Sequence, residues 1–363
     1  MKRILFLAAK IFLVVLLLLL VVFFLNRRSD IPLADLKKKY ANKYSKYVEV
    51  NGLMVHYRDE GRPLTTFMST EGASEVKAPI LLVHGTGASL HTWDVWVDAL
   101  KKEHRVIRMD LPAFGLTGPN EQGDYSSEEY LRFLDGFVKA LKVQRFHLGG
   151  NSLGGKIAWQ YALEHPFNVK SLILVDPSGM GDAHNVPAVF KLARTPILSG
   201  LIKYITPRSM IAKNLKEVYH DESKVTDDLI DRYHEMTLRE GNRQAFIDRA
   251  QLIEKDRSGE LVNIEQPTLL IWGKEDIWTP FANASRFDKA IPNSTLKVME
   301  NTGHVPMEER PLESLKFVRQ FLSAQTKSSG SRPSVLPRSL PVEQEFTEQE
   351  LEALELETME DVP

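Results

Sequence analysis

The sequence predicts an α/β fold: a mostly parallel central sheet with helices on both faces, a helical cap insertion and an N-terminal transmembrane helix. Three observations lead there. From Tyr47 onward, short apolar and β-branched runs alternate with longer helical patterns, the signature of strand–helix–strand units. The alternation lapses over residues 178–265, where every periodic stretch is helical. At the N-terminus, the 22 residues from Ile4 to Leu25 are apolar except for Lys10.

Composition narrows the function classes. The chain has 363 residues, with 46 Lys+Arg against 48 Asp+Glu and a formal net charge of −2. That balance argues against a nucleic-acid partner, which calls for a basic face. The absence of cysteine excludes disulfides, Cys-ligated zinc, iron–sulfur clusters and a thiol nucleophile. The neutral total hides an uneven distribution. Residues 1–39 carry eight Lys/Arg and two Asp, whereas residues 341–363 carry nine acids and no Lys or Arg.

Taken in order, the first element is the apolar run. At about 1.5 Å per residue it spans roughly 33 Å, enough to cross a hydrocarbon core of about 30 Å. It ends Phe23-Phe24-Leu25-Asn26-Arg27-Arg28, with no small residues for a signal peptidase, so residues 1–29 read as an uncleaved single-pass anchor. Lys10 lies near enough to one end to snorkel. The Lys/Arg count, with Arg27, Arg28, Lys37, Lys38, Lys39 and Lys43 on the C-terminal side, favours a cytoplasmic body. The short Lys-Arg start resembles a signal anchor that would export it, and the side of the membrane stays undecided.

In the body, Tyr47–Val50 and Leu53–Tyr57 flank Asn51-Gly52, a hairpin signal. Pro79–Val83, Arg105–Met109, Arg145–Leu148, Ser171–Val175, Thr268–Trp272 and Thr295–Val298 read as buried strands. Helical patterns cover Leu90–Lys101, Ser126–Leu141, Leu153–Glu164, Phe281–Ala290 and Pro311–Ser323. In the insertion they cover Pro187–Leu192, Pro196–Ile205, Arg208–Tyr219 and Asp227–Glu254. The expected organisation is a core of residues 40–177 and 266–325, a cap of 178–265 over the C-terminal edge of the sheet, and a disordered acidic tail of 326–363. The tail opens on a Ser-rich linker and holds Leu351, Leu354, Leu356 and Met359 among its acids, a pattern able to dock on a protein partner.

The chemistry resides in Gly150-Asn151-Ser152-Leu153-Gly154, placed between a strand and a helix. A sharp strand-to-helix turn needs small neighbours, lifts the serine hydroxyl clear of the sheet and aims a helix N-terminus at it. A serine nucleophile requires a base. Of ten histidines, His304 stands in Gly303-His304-Val305-Pro306, between the last strand and the last helix, where such a sheet presents residues at its edge. A carboxylate must hold the imidazole, and Asp276 in Trp272-Gly273-Lys274-Glu275-Asp276 is the leading candidate. Glu275 and Asp176 are its rivals. For the oxyanion hole the N–H of Leu153 supplies one donor, and the N–H of Thr86 in His84-Gly85-Thr86-Gly87 the second. His84, at its strand end, reads as a structural residue.

Together with Asp110-Leu111-Pro112-Ala113-Phe114-Gly115, these motifs fall in the order and spacing of the capped α/β-hydrolases over residues 47–324, and the chain resembles that family. The match is looser at Ala113, where glycine is commoner. The resemblance implies Ser152 as nucleophile, His304 as base and Asp276 as its orienter, with no metal or organic cofactor. It sets aside epoxide hydrolases and haloalkane dehalogenases, which carry aspartate where Ser152 stands. Hydroxynitrile lyases and C–C bond hydrolases of the meta-cleavage type stay open. The elbow and the Gly303–Glu308 segment are similar to lipases and carboxylesterases, including anchored hydrolases of the monoacylglycerol-lipase kind.

The expected activity is hydrolysis of medium-chain or lipid-like acyl esters at a membrane. Apolar residues from Val186 to Ile205 either receive an acyl chain or pack the cap on the sheet. The alternatives are C–C hydrolysis, for which Lys156 and Arg194 are the candidate carboxylate binders, and a non-catalytic binding protein on the same fold.

Overall fold

In a computed structural model, which describes residues 2–61, 77–181 and 187–328, eight strands form one sheet. They are β1 (Ser45–Val50), β2 (Leu53–Glu60), β3 (Ile80–Val83), β4 (Val106–Met109), β5 (Phe146–Asn151), β6 (Val169–Val175), β7 (Thr268–Gly273) and β8 (Ser294–Met299). Their order is β1-β2-β4-β3-β5-β6-β7-β8. β2 runs antiparallel to both β1 and β4, and the remaining pairs are parallel. The parallel strands therefore end on one edge, and the loops after β3, β5, β6, β7 and β8 open there.

The period of two along each strand divides the core. Leu81 and Val83 of β3 join Ile107, Leu148, Leu172 and Leu270 in one layer. Ile80 and Leu82 join Val106, Ile173, Val175 and Ile271 in the other. Helices cover both faces of the central strands, so nearly every position of β3 to β7 is buried, whereas β1 and β8 at the edges bury one position each. Helix Leu153–Glu164 packs beneath the first layer, and helix Pro311–Ser328 covers the second through Leu315 and Val318.

Asp110, just past β4, fastens the loop beyond that strand. Its Oδ1 accepts from Leu90 N at 2.7 Å and its Oδ2 from Leu116 N at 2.8 Å. His56 Nδ1 lies 2.7 Å from the same Oδ2, and His56 Nε2 lies 2.9 Å from Ser45 Oγ. Burial opposes ionisation of Asp110, but the facing His56 holds the carboxyl well below the usual carboxylate range. Ala113, in the same loop, adopts φ +80°, a conformation that favours glycine.

Between β6 and β7 the described residues contain helices Ala188–Arg194, Pro196–Ile202, Arg208–Val218, Asp227–Thr237 and Asn242–Gln251 and no strand. The pattern over Asp227–Glu254 predicts one continuous helical stretch, and the structure divides it. Gly241 stands at φ +85° before the second helix, and a Cβ there would lie 2.6 Å from Pro119 Cγ.

The apolar run is a helix, Lys2–Asn26, long and apolar enough to cross a membrane. A short helix, Leu33–Tyr40, follows it, in a stretch that sequence patterning leaves unassigned. Leu36 buries its side chain with Leu116 and Met236. Ile31 N donates to Leu238 O at 2.7 Å and Ile31 O accepts from Glu240 N at 3.2 Å, stitching this segment to the insertion. Residues up to Ser323 form one unit, and of the second, Ala324–Pro363, helical residues 324–328 are described. The acidic tail, with its expected docking role, and Val186 lie outside the described residues.

Removing the buried carboxylate by Asp110→Ala leaves two backbone donors and a histidine without their acceptor. The expected loss is about 3–5 kcal/mol in urea unfolding at pH 7. Because the folded-state pKa is depressed, the Asp110 contribution is present above about pH 4 and disappears as pH falls. The gap between parent and variant should therefore narrow in acid.

Candidate active site

The site is built on the turn between β5 and the helix Leu153–Glu164. Ser152 takes φ +52° and ψ −115°, a strained conformation for a residue with a side chain. Three backbone hydrogen bonds hold it: Ser152 N donates to Val175 O at 3.1 Å, and Ser152 O accepts from Lys156 N at 2.9 Å and Ser178 N at 3.1 Å. The flanking glycines are required by close approach. A Cβ on Gly150 would lie 2.2 Å from Gly154 O, and one on Gly154 would lie 2.2 Å from Val83 O.

His304 follows β8, and Asp276 follows β7. His304 Nδ1 lies 2.6 Å from Asp276 Oδ2, with both side chains almost fully buried. A carboxylate only accepts, so Nδ1 carries the hydrogen and Nε2 is left as the acceptor of the ring. Asp276 is itself fixed: Oδ1 accepts from Trp278 N at 2.7 Å and Thr279 N at 3.0 Å, while Thr279 Oγ1 donates to Oδ2. The Trp278 ring lies against the imidazole, with centroids 5.9 Å apart. Ser152 and His304 both line one cavity, without a direct hydrogen bond between them among the described residues.

The rival carboxylates take other positions. Glu275 Oε2 accepts from Thr302 N at 2.8 Å and so braces the loop that carries His304. Asp176, at the end of β6, is fully buried and brings a polar atom within 4.8 Å of both Asp276 and His304. Its Oδ1 accepts from Gly273 N at 2.9 Å, whereas its Oδ2 has no partner among the described residues. Burial, and then the charge of Asp276, push this carboxyl well above the usual range. Both causes favour its protonated form beside the Asp276 carboxylate.

The loop after β3 faces the serine. His84 Nδ1 lies 2.7 Å from Gly85 O, and Leu111 N donates to His84 Nε2 at 3.0 Å. Both ring nitrogens are therefore spent on the backbone, and burial lowers the pKa of His84, which keeps it neutral. Thr86 and Gly87 line the cavity beside Ser152. Among the described residues, neither Thr86 N nor Leu153 N donates a hydrogen bond, so both are available to a ligand oxygen.

The insertion supplies much of the remaining wall, including Val189, Phe190, Ile202, Met210 and Phe246. Leu198, Leu201 and Tyr204 face outward instead, 38–43 % exposed. The insertion is also tied to the histidine loop. His304 N donates to Val218 O at 2.8 Å. Glu308 accepts from Tyr219 Oη at 2.7 Å, Arg232 Nη2 at 2.8 Å and Tyr233 Oη at 3.2 Å. Burial, followed by the charge of Glu308, raises both phenols and keeps them as donors.

Of the two basic residues singled out as carboxylate binders, Lys156 pairs with Glu254, and Arg194 Nε donates to Ala250 O at 2.8 Å. Among the described residues, the Lys or Arg that does line the cavity is Arg243. Periodicity gives no signal for it, since it sits at a helix start in the insertion and reaches the cavity through long-range packing. Thr279 is likewise silent in sequence, although Asp276 at i−3 is a normal spacing for a turn.

Residues 78–201 and 215–311 match the α/β hydrolase fold family, and the chain belongs to it. It is 29 % identical over 267 residues to monoacylglycerol lipase ABHD6 of Mus musculus, covering 70 % of this chain and 79 % of that one. It is 27 % identical over 257 residues to 2-hydroxy-6-oxo-2,4-heptadienoate hydrolase of Pseudomonas putida, covering 68 % and 90 %. Among solved structures, a membrane phospholipase A described as a bacterial virulence factor superposes with a TM-score of 0.64. That pair is 28 % identical and covers 90 % of this chain and 99 % of the other.

A carboxyl that is protonated when folded retains a proton that the unfolded chain releases above about pH 4. The resulting stability is complete below that pH and lost as pH rises towards the folded-state value. Asp176→Asn keeps the shape and removes the titration. The melting temperature of the variant, measured relative to the parent, should therefore increase from pH 4 to pH 8.

Proposed function

We propose that the chain is a membrane-anchored serine hydrolase that cleaves carboxylic esters with medium-chain or lipid-like acyl groups. The observation that carries this reading is the convergence at one apolar cavity of Ser152, His304 and Thr86, with Asp276 bonded to the imidazole and the unspent N–H of Leu153 next to the serine. In the proposed mechanism Ser152 Oγ attacks the ester carbonyl as His304 Nε2 takes its proton. Asp276 holds the tautomer and stabilises the imidazolium that forms. The N–H groups of Thr86 and Leu153 receive the oxyanion of the tetrahedral intermediate. His304 then protonates the leaving alcohol, and a water molecule activated by the same nitrogen releases the acid from Ser152.

The membrane half of the reading rests on the length and apolarity of Lys2–Asn26, on the basic residues that follow, and on the likeness to a membrane phospholipase A. The likeness to monoacylglycerol lipase ABHD6 supports a lipid-derived ester. The likeness to 2-hydroxy-6-oxo-2,4-heptadienoate hydrolase favours a second reading, C–C bond hydrolysis of a diketo acid by the same serine.

The test is hydrolysis of p-nitrophenyl esters from acetate to palmitate by the full chain in detergent. Turnover should peak at intermediate chain lengths. It should fall by at least about a thousandfold in Ser152→Ala and by about as much in Asp276→Ala. A fluorophosphonate should label the parent and not Ser152→Ala. A folded parent that neither turns over esters nor labels would overturn both serine readings, whereas labelling without ester turnover would move C–C hydrolysis forward.

A further inference from the structure

We infer that the cavity contains an anion-binding subsite centred on Arg243, and that its ligand is the anionic group of an acyl lipid. The inference rests on the ester-hydrolase reading only for the orientation of the bound lipid.

Arg243 is 4 % exposed and lines the same cavity as Ser152 and His304. A guanidinium has five N–H donors. Two bonds leave through Nη2, to Arg28 O at 2.9 Å and to Asp30 Oδ1 at 2.6 Å. Nε and Nη1 are buried with no hydrogen-bond partner among the described residues. Three donors of a cationic group thus stay unsatisfied in an apolar wall, which is costly for a buried charge. A cation beside apolar side chains such as Phe190, Ile202 and Phe246 suits a ligand with an acyl chain and an anionic oxygen. A carboxylate or phosphate matches the planar donor set of arginine.

The position of Arg243 indicates the source of the anion. Its fixed nitrogen is bound to the backbone and side chain of residues that follow the apolar helix by only a few positions. If Lys2–Asn26 crosses the membrane, Arg28 and Asp30 stand at head-group level. The Phe23 ring lies against Tyr204, with centroids 6.4 Å apart, and Arg28 N donates to Tyr204 O at 2.9 Å. The helix Pro196–Ile202 beside this junction turns Leu198 and Leu201 outward and Ile202 into the cavity. One layer of helix therefore separates the apolar surface next to the anchor from the cavity. A lipid entering there presents its head group to Arg243 and its acyl ester to Ser152.

The test measures binding, so it does not depend on turnover. The full-length Ser152→Ala chain in detergent is titrated with 1-lauroylglycerol 3-phosphate and with 1-lauroylglycerol. The phosphate-bearing lipid should bind about tenfold more tightly or better. That preference should collapse to within about twofold when Arg243→Met is added. Asp30→Asn, which removes the competing carboxylate and spares the arginine, should enlarge the preference severalfold, and it carries the test if the Arg243 variant does not fold. Equal affinity for the two lipids, a preference that survives Arg243→Met, or one unaffected by Asp30→Asn overturns the subsite. Glycerol 3-phosphate competing as well as the lipid would assign the site to a free phosphate and overturn the lipid source. Arg243-dependent binding of a short dienoic acid in preference to the lipid would overturn it in favour of the diketo-acid reading. If the parent hydrolyses no ester, the ester reading fails while these binding outcomes still decide the subsite.

Discussion

The constraint on which the rest depends is the lack of room around Ser152. The chain must turn from β5 into a helix while Gly150 and Gly154 press against neighbouring backbone, at separations no side-chain carbon tolerates. That crowding leaves Ser152 in a strained conformation and the first N–H of the helix unspent. Backbone strain of this kind costs about 1–3 kcal/mol and persists only where its surroundings are rigid. Here the surroundings are the central strands of a sheet buried on both faces, with the serine bonded to the ends of β6 and of its own helix.

The same edge explains how three distant parts of the chain meet. β5, β7 and β8 are parallel and lie within the run β5-β6-β7-β8, so the residues that follow them emerge on the same edge. The histidine loop is then secured twice. Asp276 and Thr279 hold the ring, while Val218, Tyr219 and Asp221 of the insertion hold the backbone and the adjoining Glu308 and Glu309. The insertion is thus part of the support of the histidine as well as a wall of the cavity. Asp176 adds a second carboxyl beside Asp276, and burial and the neighbouring charge favour its neutral form, which spares the site two buried negative charges.

Much of this was legible in the sequence because its signals are local. The central strands show as apolar runs bounded by turns, and the Gly-x-Ser-x-Gly spacing states a steric requirement directly. Ala113 departs from the glycine common at its position and does adopt positive φ, so a loose sequence match marked a real backbone demand. The break at Gly241 was legible in principle, as a glycine inside a helical pattern, but the surrounding periodicity outweighed it. The helix Leu33–Tyr40 has Pro32 before it, Asp35 in its first turn and lysines in its last, yet eight residues give periodicity too little to act on.

What sequence could not supply is partner choice across long separations. Lys156 and Arg194 were reasonable carboxylate binders by proximity to the serine motif or the insertion's apolar segment, and each is already committed elsewhere. Lys156 meets Glu254 and Arg194 meets a carbonyl at Ala250. Arg243 has no motif around it. Its meaning arises only when Arg28 and Asp30, more than two hundred residues earlier, take one of its nitrogens and leave the others without acceptors among the described residues. An ion pair satisfied on one side only is costly in an apolar cavity. A surface arginine would have placed its unused donors in water. Held by the residues that follow the N-terminal helix instead, Arg243 keeps them buried in a side chain whose residue also lines the cavity of Ser152.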